Sequence, residues 1–327
     1  MSAPPAPYVI MPQPELEANQ DKALLEAVRA LDTAKAKTSK GLWLFLAVLF
    51  LALGGTSWGW ASVVGIGIAV LLHELGHVLA MLLLGYKNVQ MLFIPLLGGL
   101  AMGQPQVHDG GRNALVSLAG PVFGFVTTAV AGVLAYFWGS PSWLVNFVWI
   151  SLGLNAFNLL PFFPLDGGQV MNETVFARVP VLEQLFRLAA AAALGYLAWL
   201  DKSWILGAVA FLNLITIDAA HRRACMVKRF WCELRGQPHE LDEALVARLR
   251  AAVLAIHPKL NPAALEKNMP VHVKGLWLDI QKSYPGFWYS AGILTAYGFT
   301  LVILMPVLAY MAKRWLGAPE FWSTMGV

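Results

Sequence analysis

Charge is what this chain has least of. Only 13% of its 327 residues are Asp, Glu, Lys or Arg, while 58% are hydrophobic. A soluble domain carries roughly 25% charged residues, so much of this chain does not face water. Cysteine is scarce as well. Cys225 and Cys232 are the two in the sequence, and their spacing fits no zinc or redox motif; they read as free thiols in a reducing compartment. No run of Lys and Arg resembles a nucleic-acid patch, so nucleic acid is not an expected partner. No signal peptide is expected from residues 1–40, which are Pro-rich and then charged, with no short apolar stretch or cleavage site.

What the chain has in place of charge is long apolar runs. A transmembrane helix needs about 20 apolar residues, and the hydrophobic segments predict spans near residues 40–56, 59–85, 113–138, 142–160, 183–200, 203–219 and 287–311. The fold class is therefore an all-α polytopic membrane protein with about six to seven transmembrane helices. Residues 89–106 are apolar but broken by Pro95, Gly98, Gly99, Gly103 and Pro105. Irregular backbone at membrane depth must be buried in protein or line a wet cavity, which predicts a re-entrant loop or small β-hairpin packed against the core. Trp58, Trp60, Trp138, Trp143, Trp204 and Trp315 lie at span ends and read as interfacial anchors.

The polar remainder divides the chain. Residues 1–40 form an N-terminal tail, disordered over 1–14. Leu24, Leu25, Val28 and Leu31 then mark an amphipathic helix that lies on the membrane or on the protein. The membrane core is 41–219. Residues 220–286 are a basic helical segment with Leu241, Leu245, Leu249 and Val253 at helical spacing, and 287–327 hold the last span and tail. With the N-terminus inside and seven spans, the cytoplasmic segments hold 19 of the 23 Lys and Arg. That bias orients the chain N-in across a lipid bilayer, in the cell membrane. Glu183 and Arg187, four apart, are placed to pair.

One span carries chemistry. His73-Glu74-Leu75-Gly76-His77 is an H-E-x-x-H motif. On a helix the two His share a face one turn apart, within reach of a single Zn²⁺ at about 2.0–2.1 Å. Glu74 is next to that face and free to contact an attacking water. A Glu and two His in mid-span are costly, and such groups are functional by default. A catalytic zinc needs a third protein ligand. Asp166 is the candidate: it follows Pro161 and Pro164 at the edge of a span, and Gly167 and Gly168 allow close approach. On the residues alone, Asp-Gly-Gly after Pro also reads as a plain turn. His108 reads as a loop histidine.

Taken together, His73 to His77, Pro95-Leu-Leu-Gly98-Gly99, Ser117-Leu-Ala-Gly-Pro121 and Asn158-Leu-Leu-Pro-Phe-Phe-Pro-Leu-Asp166-Gly-Gly resemble the site-2 protease family of intramembrane zinc metalloproteases. The resemblance runs over about residues 58–170. It implies one Zn²⁺ per chain held by His73, His77 and Asp166, with Glu74 as general base and Asn158 holding the substrate carbonyl. It also implies a strand element near residues 91–102 that pairs with an unwound substrate. The implied activity is endopeptidase cleavage of single-span membrane proteins. Gly124 departs from the family, where Asn is frequent, as does Gln169, where Arg is frequent. A non-catalytic metal-binding scaffold and a transporter with a broken helix are the competing readings.

Overall fold

The computed structural model describes residues 13–33, 60–94, 98–105, 109–161, 165–176, 178–200, 202, 204–234, 240–258 and 261–316. The span expected at 40–56, the disorder expected over most of 1–14, and His108 lie outside these residues. The fold is mostly helical with one small sheet. Helices α1 (Gln13–Thr33) and α2 (Trp60–Leu83) precede the hairpin β1 (Lys87–Ile94) and β2 (Gly98–Gln104). Next come α3 (Gly110–Phe137), α4 (Ser142–Asn158) and α5 (Asp166–Met171), the last running into a π-helical turn (Asn172–Phe176). After it lie α6 (Pro180–Leu200), α7 (Trp204–Leu234), α8 (Glu243–Ile256), α9 (Pro262–Lys267) and α10 (Met269–Gln281). A final pair, α11 (Phe287–Phe299) and α12 (Met305–Leu316), is joined through a π-turn. Among the described residues, Ser62–Leu83, Gly110–Phe137, Val181–Leu200 and Phe287–Leu316 are long and apolar enough to cross a membrane. Seven such helices are not seen there. Helix α4 is 17 residues long, and α7 does not stop at residue 219 but continues to Leu234.

The chain forms two compact units: residues 1–36 with 218–281, and residues 37–217 with 282–327. In the first, Leu24, Leu25 and Val28 of α1 are buried together with Leu245, Leu249 and Val253 of α8 and Val273 and Leu276 of α10. The amphipathic stripe of α1 therefore lies on protein. Burying one such side chain contributes about 1.5–3 kcal/mol, which is why a short helical cluster suffices here. Asp242 caps α8 by accepting from the Leu245 N–H at 2.8 Å. Arg223 donates to Asp279 on α10 at 2.7 Å.

His257 ends α8 with its ring 5.5 Å from that of His272. Burial, then the charges of His272, Arg223 and Arg222, hold its pKa below the ordinary imidazole value. The unfolded chain thus binds more protons than the folded one just below about pH 6.5. This unit has its full stability above that pH and loses part of it as the pH falls toward the folded-state value. Hydrogen exchange of α8 and α10 in the whole protein, corrected for intrinsic rates, should be slower at pH 7.5 than at 5.5. His257→Asn should flatten the difference; an unchanged pH dependence in that variant would assign it to other groups.

In the second unit, α2, α3 and α4 pack on one another, and the hairpin lies on α2. Close approach is written into the sequence. A Cβ on Gly76 would come within 2.6 Å of the Ala119 carbonyl oxygen and 3.0 Å of the Gly120 Cα, so α2 and α3 cross nearly backbone to backbone. Small residues permit this in membranes. Helix α2 ends in a Schellman motif: Gly85 has φ +77°, the Tyr86 N–H reaches Met81 O at 2.9 Å, and the Gly85 N–H reaches Leu82 O at 3.2 Å. The chain then reverses into the antiparallel hairpin, with Met91 opposite Ala101. The expected β element is present, although residues 95–97 lie outside the described part. Glu183 and Arg187 do pair, at 2.8 Å.

Candidate metal centre

Helix α2 carries His73, Glu74 and His77 into the middle of this packing, where their exposures are 4%, 7% and 7%. The 3.6-residue period puts both imidazoles on the face toward α3 and α4. Asp166 reaches them from the other side of the site. Helix α4 stops at Asn158, ahead of Pro161, which has no N–H to continue it. The described chain resumes at residue 165, and α5 opens with Asp166 as its first residue. Gly167 lies tight against the end of α4, because a Cβ there would be 2.1 Å from the Leu159 carbonyl oxygen. That same carbonyl accepts from the Tyr297 hydroxyl at 2.5 Å, which ties the end of α4 to α11. Asp166 is 8% exposed, and α5 packs on α3 and α11.

The three side chains converge. His73 Nε2 and His77 Nε2 are 3.2 Å apart, and Asp166 Oδ2 is 3.0 Å from the first and 3.4 Å from the second. Among the described residues this is the one group of three or more His, Cys, Asp or Glu placed to share an ion. A tetrahedral zinc with ligands at about 2.0–2.1 Å has ligand-to-ligand edges of about 3.3 Å, and the observed triangle has that size.

Proton bookkeeping makes the same point. His77 Nδ1 faces the Val116 carbonyl at 2.7 Å, which can only accept, so Nδ1 carries the proton. His73 Nδ1 faces Asn155 Oδ1 at 2.8 Å. The Asn155 amide is oriented by its own Nδ2, which donates to Ser151 O at 2.7 Å, so Oδ1 is the acceptor and His73 also carries its proton on Nδ1. Both Nε2 atoms then present lone pairs toward a carboxylate oxygen, and Asp166 Oδ2 is buried with no hydrogen-bond donor. Three electron-rich atoms facing one another are repulsive unless a cation lies between them. The residues present fit zinc in number, type and spacing.

Glu74 is not one of the three. It is buried on α2, the helix against which β2 packs. Asn158 is half-buried and donates from Nδ2 to Leu154 O of its own helix at 3.1 Å. Asn155, one turn earlier and fully buried, is the amide that meets His73. The sequence reading did not single it out. The signal was a second Asn in an apolar span, three residues from Asn158, opposite a glycine on a neighbouring helix. That glycine is Gly124, where a Cβ would fall 2.0 Å from Asn155 Oδ1. The position that departs from the family is thus filled by an amide reaching over from α4.

Comparison with known proteins agrees with the residues. Residues 135–200, which include Asn158 and Asp166, match peptidase family M50. A zinc metalloprotease of Methanocaldococcus jannaschii is 33% identical over 136 residues, which is 39% of this chain and 39% of that protein. The chain spans under half the length of the curated relatives it matches. A solved site-2 protease from the same organism superposes with a TM-score of 0.41 at 20% identity, over 62% of this chain and 90% of that one, too loosely to carry weight. The match to peptidase family M50 over residues 135–200 covers the part of the site that the His-Glu-x-x-His signature lacks, and the two meet at one cluster in space, so the chain resembles that family and its zinc metalloproteases at the site.

Proposed function

We propose that this protein is an intramembrane zinc endopeptidase that hydrolyses peptide bonds of single-span membrane proteins. The observation that carries the reading is the triangle of His73 Nε2, His77 Nε2 and Asp166 Oδ2, buried inside helices apolar enough to cross a membrane. His73, His77 and Asp166 hold the ion. When bound, zinc supplies Lewis-acid polarisation of a carbonyl and of water. Glu74 takes a proton from the attacking water and hands it to the leaving amine nitrogen. Asn158 holds the substrate carbonyl oxygen through its Nδ2. The backbone of β1 and β2 supports a substrate stretch by strand addition, since a peptide bond inside a helix is shielded and must first be unwound.

The membrane core comprises 41–219 and the last span lies within 287–327. Residues 1–40 and 220–286 are on the cytoplasmic side, following the Lys and Arg bias. The test pairs zinc analysis with hydrolysis. Purified protein in proteoliposomes with a single-span reporter should hold one zinc per chain and release a cleaved reporter. Asp166→Ala should lose both. Zinc retained in that variant would overturn the ligand set, and zinc-loaded protein that leaves every single-span reporter intact would overturn the activity.

A further inference from the structure

A line of polar groups runs away from the metal centre through the packing of α3 and α4, and nothing in the proposed reaction uses it. It starts at His73 Nδ1, 2.8 Å from Asn155 Oδ1. Asn155 Nδ2 donates to Ser151 O at 2.7 Å and leans on Ser151 Oγ at 3.4 Å. Ser151 Oγ is 2.7 Å from Thr128 Oγ1, and Thr128 Oγ1 donates to the Gly124 carbonyl at 2.7 Å. Asn155 and Ser151 are both 0% exposed and Thr128 is 2%. No water competes for these groups, and each must be satisfied by the others.

The chain of donors has one direction. Gly124 O can only accept, so the Thr128 hydroxyl spends its proton there. Ser151 must then donate to Thr128, and its lone pairs turn toward the Asn155 NH₂. The amide cannot flip, because that would set Oδ1 against Ser151 O. With its NH₂ committed, Oδ1 is left as an acceptor aimed at His73. The missing side chain at Gly124 is what gives this amide room, since a Cβ there would overlap all three of its terminal atoms at 2.0 to 2.4 Å.

We propose that Asn155 is the positioning residue of the metal centre. It fixes His73 as the Nδ1-protonated tautomer, with Nε2 turned to the ion, and Thr128 and Ser151 hold Asn155 in that orientation. His77 gets the same service from a backbone carbonyl, which no side-chain substitution removes; His73 depends on Asn155. The proposal rests on His73 being a zinc ligand, and the experiment separates the two claims.

The experiment measures zinc affinity of the full chain in detergent by competition with a chelator, and records the absorption spectrum of the Co²⁺-substituted protein. Wild type, Asn155→Leu, Asn155→Asp and Thr128→Val are compared. Loss of an outer partner of a ligating His weakens metal binding by about 10–100-fold, and that is expected for Asn155→Leu, with a changed Co²⁺ spectrum. Asn155→Asp keeps an acceptor oxygen on His73 Nδ1, and its second oxygen, protonated in this buried place, can donate to Ser151 O as the amide did, so it should restore most of the affinity. Thr128→Val should weaken binding by less than Asn155→Leu.

Should Asn155→Leu fail to fold, the aspartate and valine variants decide. Wild-type affinity in Thr128→Val, together with affinity in Asn155→Asp as low as in an Asp166→Ala variant, overturns the proposal. Asn155→Leu with wild-type zinc affinity and an unchanged Co²⁺ spectrum overturns it as well, even if the metal-free protein melts earlier, for that outcome is packing alone. A wild-type protein that binds no zinc would instead refute the metal site itself.

Discussion

Glu74→Gln should retain its zinc and lose about 10²–10⁴-fold in hydrolysis rate, the usual contribution of a general acid–base. The substitution keeps the length and shape of the side chain. What it removes is the ability to take a proton from water and return it to the leaving nitrogen. Because Glu74 lies outside the three-atom cluster, zinc content measured by elemental analysis should match the wild type. The loss should fall on kcat with KM nearly unchanged, as expected for a group whose interaction matters in the transition state. Wild-type turnover in this variant, measured on a single-span reporter in proteoliposomes, would remove Glu74 from the mechanism.

The second large effect comes from one methyl group. Gly120→Ala would put a Cβ 2.3 Å from His77 Nε2 and 2.4 Å from its Cε1, against the very atom that faces the ion. The crossing is already tight at this point, since even a Cβ on Gly76 would lie 2.6 Å from Ala119 O and 3.0 Å from Gly120 Cα. Over-packing of this kind typically costs about 1–3 kcal/mol. Here the imidazole is the softest neighbour and should yield first. Zinc affinity should fall by at least about tenfold and hydrolysis with it, while the same substitution at Gly132, further along α3 with nothing within 4 Å, should change neither. Chelator competition on both variants is the check, and equal affinity in Gly120→Ala would mean that His77 does not lie against α3.

These two variants divide between what was legible in the sequence and what was not. Glu74 was legible because a period of 3.6 residues fixes where His73 and His77 point, and because charge at membrane depth needs a reason. Asp166 was legible only through its motif; nothing local distinguishes Asp-Gly-Gly from an ordinary turn until Gly167 is seen pressed against the Leu159 carbonyl. Gly120 and Gly124 were visible as letters, but their use depends on what lies opposite, and His77 and Asn155 come from other helices. Asn155 escaped for the same reason: one amide in an apolar span looks like any packing amide, and its partner is 82 residues away. The ends of helices were legible where Pro or Gly stops them, as at Pro161 and Gly85. The extent of α7 was not, since its helical pattern passes without a break from apolar to basic residues at 220.

His73 and His77 sit on α2, whereas Asp166 opens α5, a helix that packs chiefly on α3. An ion between them is therefore a cross-link as well as a reactive centre, closing a long loop that contains the hairpin, α3 and α4. By linkage, free zinc at a hundred times its dissociation constant stabilises the folded state by about 2.7 kcal/mol. A chelator takes that tie away and leaves α5 held by its packing on α3 and α11 alone. How long the core survives in detergent is thus set by the zinc in the buffer, and heat resistance becomes a reading of metal occupancy.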